Sequence, residues 1–272
     1  MSQTTQEKRT RFRELHKDGC FVLPNPWDVG SARMLEHLGF EAVASTSTGF
    51  AWTTGRPDYA VARDDVLGHL AALSAAVDVP VNADFESGFA TEPEALAANV
   101  RLAVGTGIAG LSIEDRLPVG DRLFDRQLAV ERIRAARHAI DQSGEDVILV
   151  ARTEILLSDP AALGTAIDKL VAFADAGADC LFAPGVAGRE AIGVMVRAVA
   201  PKPVNVLVMG SDMPLAAFAE LGVRRVSVGG GLAQVAWGAT IAAAESFMRS
   251  TFDALATGTP GAELNEIFAR SA

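Results

Sequence analysis

Eight short apolar runs, each followed by an Ala-rich segment with helical periodicity, constrain this chain more than any other feature of its sequence. The runs are 20–24, 42–45, 79–84, 110–114, 147–151, 180–183, 204–207 and 225–228. Each is nearly continuous in apolar character, as parallel strands buried on both faces must be. The segments between them read as helices over 28–38, 63–76, 93–105, 130–142, 163–176, 190–199 and 214–221. Asp28 can cap the first of these, and Gly39 can stop it. Phrases such as HLGFEAVAS and DAGADCLFAP turn from a helix-ending glycine straight into a strand.

Eight strand–helix alternations favour an α/β fold of the (β/α)₈ TIM-barrel type over an open sheet. The 272 residues suit one such domain, since these barrels take about 250. A helix over 6–16 would cap the barrel bottom. Beyond Trp237 the chain exceeds what the barrel needs, with a helix expected over 239–256, a TGTPGAE break and a short tail helix. The extension 239–272 is expected to serve oligomer contacts in a homo-oligomer, a dimer or a tetramer.

Charge narrows the partners. Lys and Arg total 24 against 34 Asp and Glu, a formal net charge of −10, which argues against nucleic acid or an anionic membrane surface. The polar N-terminus is not a signal peptide, and no apolar run approaches the ~20 residues of a membrane span. Cys20 and Cys180 lie in apolar runs and read as buried thiols of a reducing cytoplasm.

Catalytic residues of such barrels sit at strand C-termini and the loops beyond them. There the chain places Asn25, Trp27 and Asp28 after strand one, and Ser45, Ser47, Thr48, Gly49 and Asp58 after strand two. Asn82, Asp84 and Glu86 follow on strand three, Glu114, Asp115 and Arg116 on strand four, Arg152 and Glu154 on strand five, and Asn205 on strand seven. Acids crowded on one rim repel each other unless a cation neutralises them. Hard oxygen ligands without His or Cys point to Mg²⁺ or Mn²⁺. Bland readings stand beside these: Asp28 as a helix cap, Asp115 and Glu154 as solvated or Arg-paired, and Gly229–Gly231 as a tight turn rather than a phosphate loop. Arg152 is the best ligand for a substrate carboxylate, with a structural salt bridge to Glu114 or Asp84 as the alternative. His16, His37, His69 and His138 all fall in helices, and no lysine is placed inside the barrel for a Schiff base.

NPWD, the S-T-G turn before GRPD, NADFESGF, GLSIED, ARTE, DAGAD and VNVL…LGVRRVSVG occur in the order of the isocitrate lyase/phosphoenolpyruvate mutase superfamily, which the chain resembles from about Asn25 to Gly230. The resemblance implies a 2-oxo acid, or its enolate, chelating Mg²⁺. It implies Asp58, Asp84 and Glu114 as metal ligands, directly or through water, with Asn82 included in the metal set and with Asp58, Glu114 and Arg152 catalytic. Ser47, Thr48 and Gly49 would hold a substrate carboxylate near Trp27 or Asp28, and Arg152 would bind substrate oxygens; Asn205 joins the substrate-binding set. It also implies a helix-exchanging tetramer. The departures are Asn82 where the family usually has a metal-binding acid, Glu154 where Asp is usual, and a loop RLPVGDRLFDRQ with neither the lyases' Lys-Lys-Cys-Gly-His segment nor the mutase's Asn-Ser pair. These favour decarboxylation or retro-aldol cleavage of a small 2-oxo acid over isocitrate cleavage. The alternatives are P–C bond chemistry and a non-catalytic ligand-binding relative.

Overall fold

The computed structural model describes residues 2–120, 122–210 and 213–269. Its strands are β1 (Phe21–Leu23), β2 (Val43–Ala44), β3 (Val81–Asp84), β4 (Gly110–Glu114), β5 (Ile148–Arg152), β6 (Cys180–Phe182), β7 (Val204–Leu207) and β8 (Arg225–Ser227). The first helices are α1 (Thr5–Leu15), α2 (Val29–His37), α3 (Ser47–Thr53), α4 (Arg63–Ala76), α5 (Pro93–Val104) and α6 (Arg126–Ser143). They are followed by α7 (Ile155–Ser158), α8 (Leu163–Asp175), α9 (Arg189–Val199), α10 (Leu215–Glu220), α11 (Gly231–Met248), a 3₁₀ turn (Asp253–Thr257) and α12 (Gly261–Ala269).

The eight strands form one parallel sheet in the order β1-β8-β7-β6-β5-β4-β3-β2, a nearly closed (β/α)₈ barrel. At the seam between β1 and β2, Ala44 N donates to Pro24 O at 3.0 Å. Asn25 clasps that seam at the mouth. Its Nδ2 donates to Ser45 O at 3.0 Å, and its Oδ1 accepts from Val228 N and Gly229 N at 3.0 and 2.9 Å. Phe12, Phe21, Leu23, Ile148, Val150 and Phe182 fill the barrel interior, while a larger apolar layer fuses strands to helices. α1 closes the bottom, with Phe12 edge-on to the His16 ring at 4.7 Å. Gly110 is required there, because a Cβ would lie 2.7 Å from Phe12 and 2.8 Å from Asn82 Oδ1.

Two expectations need correction. The helix expected over 239–256 starts at Gly231, because only Gly229 of the glycine run takes a positive φ (52°) and Gly231 already belongs to α11. It ends at Met248, and the tail returns so that α12 packs against α2 of the same chain. The Ser47-Thr48-Gly49 turn is the first turn of α3, capped by Thr46, whose hydroxyl accepts from Gly49 N at 3.2 Å. Among the described residues no helix is long and apolar enough to cross a membrane.

Candidate active site

At the C-terminal ends of the strands a cleft of about 690 Å³ opens, lined by Ser47, Thr48, Asp58, Tyr59, Asp84, Arg152 and Glu154 near its mouth. Period-2 alternation decides which strand residues face it. Asn82 and Asp84 share one face of β3, and Glu114 points to the opposite side of β4 from Asp115.

Arg152 organises the rim. Its Nε donates to Glu154 and lies 3.5 Å from Glu114 Oε2, while Nη1 is 3.5 Å from Asp84 Oδ1. Burial opposes the guanidinium charge, but Glu154, Glu114 and Asp84 outweigh it and raise the Arg152 pKa. Both weighed roles of Arg152 are thus geometrically available, since it is ion-paired and it lines the cleft. Asp84 is further fixed by Ser47, whose backbone N and hydroxyl both donate to Oδ2 at 3.0 Å. Thr48 donates to Asp58 Oδ2 at 2.6 Å. Ser47 and Thr48 therefore meet the rim acids directly.

Glu114 lies behind Arg152 and is 3% exposed, and its Oε1 is buried with no hydrogen-bond partner. Burial drives its pKa up, Arg152 opposes, and Glu154 and Asp84 push it further. Glu86 behaves alike: burial, then Asp84 and Asp58, push it to about 8. A carboxylate oxygen without a donor, in a group of acids held apart by one guanidinium, is what a hard cation would satisfy. Among the described residues no three His, Cys, Asp or Glu side chains converge as a closed metal cage. Mg²⁺ does not require one, because it takes one or two carboxylates and completes its shell with water and substrate oxygens. Asp84 and Glu114 therefore fit Mg²⁺.

Other expected residues are placed elsewhere. Trp27, Asp28 and Gly49 are outside the cleft lining, and so is Glu114, which is buried behind Arg152. Asp28 caps α2, accepting from Ser31 N at 2.7 Å, which is the bland reading of that residue. Gly49 packs against Trp27, where a Cβ would stand 2.9 Å from the Trp27 Cβ. Asn82 and Asn205 do line the cleft, but one layer below the rim acids, where they face Arg225 rather than Asp84. Asp115, expected to be solvated or Arg-paired, is 2% exposed and paired with Lys169 at 2.7 Å, a helical lysine that reaches it from α8. It also accepts from Thr153 Oγ1 and Glu154 N at 2.8 and 2.9 Å, so it holds the turn that carries Glu154.

Two contributors, Tyr59 and Arg225, escaped the sequence reading, and Glu86, which it places at the end of strand three, had no role there. Tyr59, the chain's one tyrosine, takes φ 61° and faces the cleft with the Arg116 guanidinium 3.8 Å above its ring. Glu86 also sits in the left-handed region, at φ 49°, where a side-chain-bearing residue is uncommon and strain tends to mark function. Arg225 lies inside the barrel. A charged residue within an apolar strand run was the available signal for it.

Comparison with known proteins agrees with this geometry. The sequence profile of the family described as Phosphoenolpyruvate phosphomutase matches residues 12–248. An uncharacterized protein of Mycobacterium tuberculosis is 35% identical over 257 residues, covering 93% of this chain and 94% of its own. An oxaloacetate decarboxylase of Paraburkholderia xenovorans is 29% identical, covering 83% of this chain and 76% of its own. The crystal structure of a candidate lyase/mutase from Burkholderia cenocepacia superposes with a TM-score of 0.93 at 43% identity, covering 97% of this chain and 96% of that one. With a profile spanning most of its length and relatives matched nearly end to end, this chain belongs to the phosphoenolpyruvate phosphomutase family, within the isocitrate lyase/phosphoenolpyruvate mutase superfamily.

Proposed function

We propose that this protein is a Mg²⁺-dependent carbon–carbon lyase, cleaving or decarboxylating a small 2-oxo acid through an enolate, in the cytoplasm. The observation that carries this reading is the partnerless buried oxygen of Glu114 beside Asp84, with Arg152 between them at a cleft. Asp84 and Glu114 would hold the metal, with Asp58 near enough to act through water; Mn²⁺ fits the same donors. When bound, the metal supplies a Lewis acid that stabilises negative charge on the substrate's oxygen.

The chain's own residues supply the rest. Ser47 and Thr48, whose hydroxyls donate to Asp84 and Asp58 in this fold, stand at the rim where a substrate carboxylate would compete for those donors. Arg152, kept charged by its acids, stands ready for the oxyanion that develops as the bond breaks. The loop over 116–127 carries no thiol, so the enolate carbon takes its proton from solvent. That favours small substrates whose products need no delivered proton. The resemblance to an oxaloacetate decarboxylase supports the same class. Nothing in the cleft favours phosphonate chemistry over carboxylate chemistry.

The test is pyruvate release from a panel of 2-oxo diacids with and without Mg²⁺, together with metal titration calorimetry. Wild type should turn over at least one of them only with metal, and Asp84→Ala should lose metal affinity. Equal metal affinity in both proteins, with no turnover in wild type, would remove the proposal.

Assembly is proposed on separate ground. α11 exposes Trp237, Ile241 and Met248 on one face, at 44, 56 and 88%. Such an apolar face suits a second copy of this chain in a dimer or tetramer. Light scattering should give a multiple of the 28.5 kDa chain. Trp237→Glu should lower it, and a wild-type monomer at all concentrations would refute the idea.

A further inference from the structure

The cleft has a second guanidinium at its floor. Arg225 opens β8, is 2% exposed, and nonetheless lines the cleft together with Asn82, Asn205 and Ser227. Its partners are all neutral. Nε donates to Asn205 Oδ1 at 2.9 Å, and Nη1 lies 3.2 Å from Asn82 Oδ1 and 3.4 Å from His16 Nε2. His16 offers no negative charge. Burial and the neighbouring Arg225 depress its pKa to about 3, so the ring is neutral, with Nδ1 donating to Phe12 O at 2.7 Å and Nε2 left as an acceptor.

The other buried cations around the cleft differ. Arg152 has three carboxylates, and Lys169 has Asp115. Arg132 touches no carboxylate, but it donates to the backbone carbonyls of Ser87, Ala90 and Thr91, and it does not line the cleft. Among the described residues no carboxylate lies within ion-pair distance of Arg225. Burial accordingly lowers its pKa, with Cys180 opposing. A desolvated charge facing only amide dipoles is costly relative to one with a counter-ion. Here that charge borders a cavity open to a ligand.

Position specifies what the ligand must be. Asn82, which contacts Arg225, precedes Asp84 by two residues on the same face of β3, so Arg225 is reached roughly 7 Å below the rim acids. Between the two levels the cleft is walled by Leu23, Ala44, Phe182 and Leu207, surfaces suited to methylene groups.

We propose that Arg225 is the floor of an anion subsite, and that the substrate is a 2-oxo diacid whose second carboxylate reaches down the barrel to it. The rim end of that substrate rests on the function proposed above. Asn82 and Asn205 orient the guanidinium, and the barrel interior then selects diacids over monoacids.

Titration calorimetry with Mg²⁺ present compares two probes. Oxalate is too short to leave the rim, whereas the second carboxylate of 2-oxoglutarate extends towards the floor. Arg225→Gln should weaken 2-oxoglutarate about 10- to 100-fold, the loss of one charge-assisted contact, and leave oxalate unchanged. Asn205→Asp hands Arg225 an internal carboxylate, so it should raise Tm yet weaken 2-oxoglutarate similarly. It keeps the test alive if Arg225→Gln does not fold. Unaltered 2-oxoglutarate affinity in either folded variant, or none in wild type, overturns the subsite. Wild type that binds 2-oxoglutarate through Arg225 but never oxalate would instead strike the rim chemistry, so the two failures are distinguishable.

Discussion

On β3 to β5 the barrel carries Asp84, Glu114, Asp115 and Arg152, with Glu154 just beyond, and every charge has an opposite charge beside it. Beyond β6, on β7 and β8, stand Asn205, Arg225 and Ser227, where one cation is surrounded by amides and a hydroxyl. In the first region each acid has a protein cation beside it, while three of them share Arg152 and one Glu114 oxygen is left for the proposed metal. The second leaves a cation to be matched from outside. A cleft built this way separates two tasks: chemistry on the side that is pre-arranged, and selection on the side that is electrostatically incomplete.

The largest effect should come from breaking a pair on the compensated side. Lys169→Met leaves Asp115 buried without its cation and should cost about 3–5 kcal/mol in urea unfolding. Adding Asp115→Asn should recover most of it, because the stranded charge is then gone. If the single variant is as stable as wild type, the pair does not support the Glu154 turn.

A slightly smaller change is expected at Arg152. Arg152→Lys keeps the charge but loses the planar fork that spans Glu154, Glu114 and Asp84. On whichever 2-oxo acid proves to be turned over, kcat should fall about 10²–10³-fold. Wild-type kinetics in the lysine variant would reduce Arg152 to a structural partner.

The third effect is a slope. Glu86 has its pKa raised to about 8 in the fold, from 4.5. The folded state therefore holds a proton that the unfolded chain has released between those values. The associated stability is complete below pH 4.5 and is lost as pH rises towards 8, by at most about 1.4 kcal/mol per pH unit. Metal-free protein should show this decline, and Glu86→Gln should flatten it. An identical slope in the variant would show that Glu86 is not the group responsible.

The sequence carried the barrel well and the charged interior poorly, for physical reasons. Strands buried on both faces leave continuous apolar runs, so β4 and β7 were bounded to the residue and the others within about two. Arg63–Ala76 was bounded as well, by its Asp-rich first turn and its apolar period. α3 was missed because seven residues do not complete enough turns to show a period. α11 was started late because a run of three glycines looks like a break when only one of them turns the chain. At the rim, Asp84, Glu114 and Arg152 were legible from their place at strand ends. That Asn82 and Asn205 sit a layer below the rim was not legible, because their partner, Arg225, is 143 and 20 residues away in sequence. Tyr59 was invisible for a related reason: a left-handed φ turns it towards Arg116, a residue from another loop.

The clasp at the β1–β2 seam has a chemical consequence. Asn25 holds both sides of the mouth through its side-chain amide, and the next residue is Pro26. Spontaneous deamidation of asparagine proceeds when the following backbone nitrogen, having lost its proton, attacks the side-chain carbonyl. Proline has no such N–H. Conversion of Asn25 to aspartate would remove the donor to Ser45 O and set a negative charge against that carbonyl. With Pro26 in place this route is closed, and the fastening that fixes the width of the mouth is protected from the usual ageing of its own residue type.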